Sequence, residues 1–264
     1  MTAVDLVCLD VDGTLLDSSG GIPDEVWDEL GELRERGVRL AICSGRPAFG
    51  VTLDYARRLD PTGWHIFQNG SSVVRVDTGE TRSAPLPEHA VRRIVAKARR
   101  TGRVLEVYTD FEVAAELNED RARRHAELLG IPFHARRFDS LDGPIVRAQW
   151  LIPHELRDEV LAEPHEGLNV CPSLAPLMPD TTFVNMTAEG VHKGSALATV
   201  AAAYKVPLER VMMAGDGEND VGALRVAGIA VAMGNSEPSA LEVAHVTVGH
   251  VDEGGLLEAL ALVR

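Results

Sequence analysis

The chain has 264 residues, which is enough for one large α/β domain or for a core domain with an insertion. Its hydrophobic content of 45% and charged content of 25% are ordinary for a globular protein, and no apolar run reaches the length of a membrane span. The net charge of -14 argues against nucleic-acid and membrane-surface partners, and the lack of a signal-peptide pattern at the N-terminus predicts a cytoplasmic protein.

The first predicted strand is the apolar run at residues 4–9, which ends at two carboxylates, Asp10 and Asp12, followed by Gly13. A short apolar run before a turn is typical of a buried parallel strand, and ligands of open α/β sheets bind at the carboxyl ends of such strands. If the chain stays extended, the two carboxylates share a face, and two anions this close need a cation or a shared proton. A magnesium ion with a phosphate substrate would supply that balance. An Asp-Gly turn that merely ends a strand is the alternative interpretation.

A predicted helix then leads to a second strand at residues 38–43, so that strand, helix and strand form a parallel pair. This strand ends in Ser44, Gly45 and Arg46, whose hydroxyl, open backbone and guanidinium can all hydrogen-bond a phosphate. We predict that Pro47 opens the next helix, and in that case Ser44 can also serve as its N-cap.

A third strand is predicted at residues 64–67, followed by Asn69-Gly70 and by a hairpin over residues 72–84. Asn-Gly is chiefly a turn signal, and a contact between Asn69 and a ligand is the alternative interpretation.

From about residue 84 the pattern changes to short alternating strands and helices, which predict a compact α+β insertion with its own sheet. The predicted domains are therefore residues 1–83 together with 187–264, and the insertion at residues 84–186. One predicted helix of the insertion carries Arg121, Arg123 and Arg124, which could reach an anionic substrate. The acidic residues beside them favour instead a solvated helix face.

After residue 187 the first pattern returns, with Lys193 at the start of a helix and a strand at residues 211–214. That strand ends in a glycine-rich turn with further polar side chains, and two more strands complete a parallel sheet. Taken alone, Lys193 would be a surface lysine, and the neighbouring His192 is more plausibly incidental than a metal ligand. The polar residues of the turn are Asp216, Asn219 and Asp220.

These segments together contain what phosphoryl transfer requires. The reaction needs hard oxygen ligands for magnesium, a nucleophile, an acid/base, and donors for the equatorial phosphoryl oxygens. Three of the four segments follow apolar strands, as expected for groups at one edge of a parallel sheet.

The same segments, in this order, resemble the four motifs of the haloacid dehalogenase superfamily. They are Asp10-Val11-Asp12-Gly13-Thr14-Leu15, Ser44-Gly45-Arg46, Lys193-Gly194 and Gly215-Asp216-Gly217-Glu218-Asn219-Asp220. The stretch Gly228-Ile229-Ala230-Val231-Ala232-Met233-Gly234-Asn235, and the insertion between the second and third motifs, are similar to the Cof-type phosphatase branch. The resemblance implies a Rossmann-like α/β core with an inserted, mobile α+β cap that closes over the site.

The resemblance also implies roles for individual residues. Asp10 would be the nucleophile that forms an aspartyl-phosphate, and Asp12 would protonate the leaving oxygen and then activate water. Ser44 and Lys193 would take up charge on the transferring phosphoryl group. Mg2+ would be held by Asp10, by the backbone carbonyl of Asp12 and by Asp216, while Asn219 and Asp220 would orient its waters or Lys193.

The expected substrate is a small phosphorylated metabolite, with a sugar phosphate as the first expectation. Its predicted contacts are Gly45, Arg46, Asn69 and Asn185. Asn185 stands where many Cof-type sequences carry an acidic residue, so substrate contacts or the hinge can differ here. A hexose phosphomutase and a non-catalytic sugar-phosphate-binding regulator are the alternatives, and a monomer or homodimer is expected.

Overall fold

The computed structural model describes residues 3–175 and 177–263, and the chain divides into two compact units. The first unit contains the residues up to Arg46, Thr52–Arg82 and the residues from His192 onwards. The second unit contains Pro47–Val51 and Ser83–Val191. The insertion predicted at residues 84–186 falls inside this second unit.

The strands and helices are numbered in chain order. The strands are β1 (Leu6–Leu9), β2 (Arg39–Ile42), β3 (Trp64–Phe67), β4 (Ser72–Arg75), β5 (Val104–Tyr108), β6 (Val113–Ala115), β7 (Arg147–Pro153), β8 (Leu168–Ser173), β9 (Thr181–Ala188), β10 (Val211–Gly215), β11 (Ile229–Ala232) and β12 (Val246–Thr247). The helices are α1 (Asp24–Glu35), α2 (Val51–Leu59), α3 (Glu88–Thr101), α4 (Asp120–Leu128), α5 (Arg157–Leu161), α6 (Lys193–Tyr204), α7 (Val221–Val226), α8 (Pro238–Val243) and α9 (Gly255–Leu260).

The first unit is built on a five-stranded sheet in the order β12-β11-β10-β1-β2, in which every neighbouring pair is parallel. All four residues of β1 are buried, as expected for a strand covered on both faces. Side chains of β1 and β10 pack with those of α6 and α7, including Leu6, Met213, Leu197 and Leu224. The predicted α/β class with a parallel sheet is confirmed.

The strands β3 and β4 form a separate two-stranded antiparallel sheet in this unit. The link of β3 to the chain after β2 is a single parallel bridge between Cys43 and Ile66, next to which the Ser44 N–H donates to the Ile66 carbonyl at 2.9 Å. The backbone of Ser44 is therefore fixed by β3 as well as by its own strand.

The second unit is built on an antiparallel sheet in the order β6-β5-β7-β9-β8. One face of this sheet packs on α3 and α5, through Trp150, Ile94 and Val160 among others. The opposite face packs on α4, where Leu151 and Phe183 meet Ala122. The unit therefore has an apolar core on each face of its sheet, and helices packed on an antiparallel sheet give it an α+β architecture.

The structure differs from the sequence analysis at two local points, one of them a wrong prediction and the other a strand that was not predicted. The helix predicted to open at Pro47 begins at Val51, because Gly50 has a φ of 63°, which no right-handed helix contains. A side chain at Gly50 would also place its Cβ 2.6 Å from the carbonyl oxygen of Leu129. The strand β6 escaped prediction, since three residues are too few to show an alternating pattern.

The longest helix in the described ranges is α3, with 14 residues. None of the helices described combines the length and the apolar character that crossing a membrane would require.

His65 of β3 is fully buried, and its imidazole is held in one tautomer. Its Nδ1 accepts the Ile42 N–H at 3.1 Å, so that Nε2 donates to the Asp60 carbonyl at 2.9 Å. Burial lowers the pKa of His65 from 6.5 to about 4. In the unfolded chain the ring binds a proton below its ordinary pKa, whereas in the folded protein it stays neutral until the pH approaches 4.

We therefore expect the stability contributed by neutral His65 to be complete above pH 6.5 and to be lost as the pH falls towards 4. Between about pH 7.5 and about pH 5 this residue should remove about 2 kcal/mol from the free energy of unfolding. Urea unfolding at both pH values measures the loss, and His65→Gln, which cannot titrate, is the control. An equal pH dependence in both proteins would contradict the prediction.

Candidate active site

The carboxyl ends of three neighbouring parallel strands carry polar side chains from the predicted site. Asp10 directly follows β1, and its N–H donates to the Ala214 carbonyl of β10 at 2.9 Å. Asp216 directly follows β10, and Ser44 comes one residue beyond the bridge-forming Cys43 at the end of β2. Because β2, β1 and β10 are adjacent and parallel, these side chains belong to one edge of the sheet.

A buried cluster of charges lies at this edge. Lys193 Nζ donates to Asp10 Oδ1 and to Asp220 Oδ1, each at 2.6 Å. Lys193 and Asp220 are fully buried, and Asp10 is 6% exposed. Burial alone would lower the pKa of Lys193, but the charges of Asp10 and Asp220 hold that pKa above its ordinary value. Lys193 is thus a buried cation between two carboxylates and not a surface lysine.

The position of Lys193 follows from the way in which α6 begins. His192 Nδ1 accepts the Gly194 N–H at 3.1 Å, and Ser195 Oγ accepts the His192 N–H at 3.1 Å. This reciprocal capping fixes the first turn of the helix, of which Lys193 is the first residue. The structure thereby gives His192 the role of a helix cap.

Both carboxylate oxygens of Asp220 are already engaged by protein donors. Oδ1 accepts from Lys193, while Oδ2 accepts the backbone N–H groups of Asp216 at 3.1 Å and Gly217 at 3.0 Å. Asp220 therefore fixes the glycine-rich turn and orients Lys193. Asp10 and Asp216 are left as the carboxylates of this group with oxygens more open to a ligand.

Asp216 is held by two residues that the sequence did not single out. Thr14 Oγ1 donates to Asp216 Oδ1 at 3.3 Å, and Asn235 Nδ2 lies 3.4 Å from Asp216 Oδ2. Asn235 Nδ2 also donates to the Gly13 carbonyl at 2.8 Å, which ties the turn after β1 to the turn after β10. Thr14 and Asn235 each lie in one of the family-like stretches given in the sequence analysis. That position was the only sign in the sequence that they belong to the site.

Gly13 packs directly against Asp216. Its φ is 78°, and a Cβ at this position would lie 2.3 Å from Asp216 Oδ2. If the predicted Mg2+ site is correct, we expect Gly13→Ala to displace the Asp216 carboxylate and to weaken Mg2+ binding by about tenfold or more, as measured by isothermal titration calorimetry. Gly20→Ala is a matched control, because Gly20 has a φ of 80° but open space around its Cβ. Equal Mg2+ affinity in the two variants would contradict the prediction.

The charge balance of the site fits a divalent cation. Asp10, Asp216 and Asp220 offer carboxylate oxygens that all lie within 4.8 Å of one another. In the described ranges, Lys193 is the only cationic side chain paired with them. Burial, followed by the charge of Asp220, raises the pKa of Asp10 well above its ordinary value and that of Asp216 to about 6. This buried excess of negative charge on oxygen donors suits a hard cation such as Mg2+.

Asp12 has an environment unlike that of Asp10. The chain turns at Val11, whose carbonyl accepts the Leu15 N–H at 3.1 Å, so the two carboxylates are not neighbours along an extended strand. The Asp12 side chain is 59% exposed and forms a two-pronged ion pair with Arg46, with Nε donating to Oδ2 at 2.9 Å and Nη2 to Oδ1. Burial acts to lower the pKa of Arg46, but its bond to Asp12 raises that pKa above the ordinary value.

The segment after β2 lies against the turn after β3. Ser44 is fully buried, and its Oγ accepts the Arg46 N–H at 3.1 Å. Since α2 begins only at Val51, the interpretation of Ser44 as an N-cap is wrong. Asn69 lies beside Gly45, where an added Cβ would approach Asn69 Oδ1 to 3.0 Å. The structure therefore brings the predicted phosphate-binding residues and Asn69 together in the first unit.

Asn185 lies in the second unit, buried in β9. It accepts from Arg147 Nη1 at 3.2 Å and donates to Ser173 Oγ at 3.0 Å. The three arginines of α4 form ion pairs within the same unit. Arg121 and Arg124 pair with Asp180, and Arg123 pairs with Asp120, as expected for a solvated helix face.

Comparison with known proteins gives one consistent result. The family model for haloacid dehalogenase-like hydrolases matches residues 7–260. The 5-amino-6-(5-phospho-D-ribitylamino)uracil phosphatase YcsE of Bacillus subtilis (strain 168) is 25% identical over 252 residues, covering 95% of this chain and 92% of that protein. A haloacid dehalogenase-like hydrolase from Bacteroides thetaiotaomicron has a similar structure, with a TM-score of 0.85, 24% identity and coverage of 99% and 100%. The subclass IIB sugar phosphatase BT4131 has a TM-score of 0.81, 21% identity and coverage of 98% of each chain.

Proposed function

The chain belongs to the haloacid dehalogenase-like hydrolases, and from that membership we propose that it is a magnesium-dependent phosphomonoester hydrolase acting on a small phosphorylated metabolite. The observation that carries this proposal is the buried group formed by Asp10, Lys193 and Asp220 at the carboxyl edge of the parallel sheet. Family membership, phosphatases among the relatives and this group of charges all favour the same chemistry.

Asp10 is the nucleophile of the proposed reaction. Lys193 holds Asp10 Oδ1, and no hydrogen bond within residues 3–175 and 177–263 reaches Oδ2. Oδ2 attacks phosphorus and forms the aspartyl-phosphate as the bond to the leaving oxygen breaks. Lys193 and the buried hydroxyl of Ser44 stabilise the charge on the phosphoryl oxygens.

Asp12 is the acid/base of both steps. In the first step its proton goes to the leaving oxygen, and in the second it takes a proton from the water that attacks the aspartyl-phosphate. Arg46 holds the Asp12 carboxylate through a two-pronged ion pair. The first step requires the protonated form of Asp12 and the second its carboxylate.

Mg2+ would be held by the carboxylates of Asp10 and Asp216 and by the backbone carbonyl of Asp12, and it would neutralise charge on the phosphoryl group. Asn219 and Asp220 would orient the waters of the metal or Lys193. Because both oxygens of Asp220 already accept hydrogen bonds from the protein, we assign to Asp220 the orientation of Lys193.

A sugar phosphate is the proposed substrate class. The support is indirect: one structural relative is a sugar phosphatase, and YcsE is named for a phosphorylated ribityl compound. Gly45, Arg46, Asn69 and Asn185 are the proposed substrate contacts. The cytoplasmic location and the monomeric or homodimeric state stay predictions.

Phosphate release from a panel of sugar phosphates and other small phosphomonoesters, with and without Mg2+, tests the proposal. We expect Mg2+-dependent release from at least one sugar phosphate. Formation of a hexose-phosphate isomer without release would indicate the phosphomutase, and tight binding without turnover would indicate the regulator.

A further inference from the structure

The turn Gln68–Gly70, directly after β3, has an unusual backbone. Its three residues all have positive φ angles, of 53°, 56° and 95°. Elsewhere in the described ranges, the only residue other than glycine with positive φ is Lys205. Consecutive left-handed residues are unfavourable and persist only where the surrounding contacts impose them, as they often do at functional sites.

The backbone of this turn is bonded to the predicted phosphate-binding segment. The Gln68 N–H donates to the Arg46 carbonyl at 2.9 Å, and the Asn69 N–H donates to the Ser44 carbonyl at 3.0 Å. The left-handed conformation therefore points successive N–H groups at the loop that follows β2.

The same turn also touches the start of α6 and the glycine-rich turn after β10. A Cβ at Gly70 would lie 2.4 Å from the His192 carbonyl oxygen and 3.0 Å from the Lys193 nitrogen, so only glycine permits this approach. Asn69 Oδ1 accepts from Asn219 Nδ2 at 3.0 Å, across 150 positions of sequence. One three-residue turn thus meets three segments that carry Ser44, Lys193 and Asp220.

We propose that Asn69 is a positioning residue, which acts through Asn219 to hold the Gly215–Asp220 turn in register with the Ser44–Arg46 segment. The inference rests on the proposed function and departs from the prediction that Asn69 contacts substrate. The Asn69 carbonyl oxygen is already used by Asn219, which lies next to Asp220 and close to Asp216. Loss of this bond releases the turn that supplies one carboxylate to the metal and another to Lys193.

Separate substitutions distinguish the side chain from the backbone. Asn69→Gly removes the amide but keeps the left-handed conformation accessible. Asn69→Asp keeps an acceptor for Asn219 and also tolerates this conformation. Asn219→Ala removes the donor. Lys205→Gly is the matched control, because Lys205 has a φ of 58° at the end of α6 and takes no part in the site.

The experiment measures kcat, KM and thermal unfolding for each full-length variant, and Mg2+ binding by calorimetry without substrate. We expect Asn69→Gly and Asn219→Ala each to lower kcat about tenfold and to weaken Mg2+ binding, with the double variant no worse than either single one. Asn69→Asp should lower kcat less than Asn69→Gly does, and Lys205→Gly should change neither kcat nor Mg2+ binding.

Several results would overturn the inference. Unchanged kinetics in Asn69→Gly would mean that only the backbone matters, and a higher KM with unchanged Mg2+ affinity would make Asn69 a substrate contact. If the losses in kcat of Asn69→Gly and Asn219→Ala added up in the double variant, the two residues would not act through one shared hydrogen bond. If the unsubstituted protein bound Mg2+ but released no phosphate, the proposed hydrolysis would fail while the Mg2+ measurements still decided the role of Asn69. No Mg2+ binding at all would overturn both.

Discussion

Asp10→Asn should reduce Mg2+-dependent phosphate release by at least about a thousandfold, because a carboxamide cannot act as the nucleophile. The substitution keeps the shape of the side chain and leaves an oxygen that can accept from Lys193 Nζ, which lies 2.6 Å from Asp10 Oδ1 in the unsubstituted protein. Initial rates of phosphate release on the best substrate of the panel measure the effect. Asp28→Asn, which removes an exposed carboxylate on α1, is the matched control and should retain activity.

The same variant should be as stable as the unsubstituted protein or more stable. Burial raises the pKa of Asp10 well above its ordinary value, so keeping this side chain ionised costs the folded protein free energy relative to the unfolded chain. Replacing that carboxylate with a neutral amide removes the unfavourable charge. Thermal unfolding without Mg2+ measures this effect. Substantial residual activity would show that Asp10 is not the nucleophile, and a large loss of stability would show that Asp10 is chiefly structural.

Lys193→Met should abolish activity and also lower the free energy of unfolding by about 3–5 kcal/mol, the usual consequence of removing one partner from a buried ion pair. Methionine is about as long as lysine but leaves Asp10 and Asp220 facing each other without a cation. Both lie in a fully or almost fully buried environment, where neither can be solvated. Urea unfolding in the absence of Mg2+ measures the stability, and phosphate release measures the activity.

A second substitution separates the two effects. In Lys193→Met with Asp220→Asn one of the facing anions is gone, so much of the lost stability should return while activity stays absent. The single and double variants would be equally stable if Asp10 and Asp220 did not depend on Lys193 for charge balance, and that result would contradict the prediction. Recovery of activity in the double variant would contradict the assigned role of Lys193.

The arrangement of the first unit could be predicted because its signals are local. Apolar runs located β1, β2 and β10, and the rule that ligands meet the carboxyl ends of parallel strands placed Asp10, Ser44 and Asp216 at one edge. Lys193 follows no strand, and only its resemblance to a known motif connected it with this edge.

The contacts between loops could not be predicted in the same way. The ion pair of Asp12 with Arg46 joins positions 34 apart, and the bond of Asn69 to Asn219 joins positions 150 apart. No periodicity encodes such pairs, since they depend on how separate loops are brought together in the fold. The error at Pro47 is also non-local in part, because the carbonyl oxygen that leaves no room for a side chain at Gly50 belongs to Leu129, far along the chain.

The pairing of β1 has a consequence for the order in which the protein can form during synthesis. Leu6 pairs with Arg39 on one side and with Val211 on the other, so β1 lacks its second neighbour until β10, in the last quarter of the chain, has been made. The second unit ends at Val191 and can complete its own sheet earlier. Until then β1 offers an open, apolar edge, of the kind at which nascent and truncated chains associate with one another. The proposed active site, which takes residues from the ends of β1 and β10, can therefore assemble only late in synthesis.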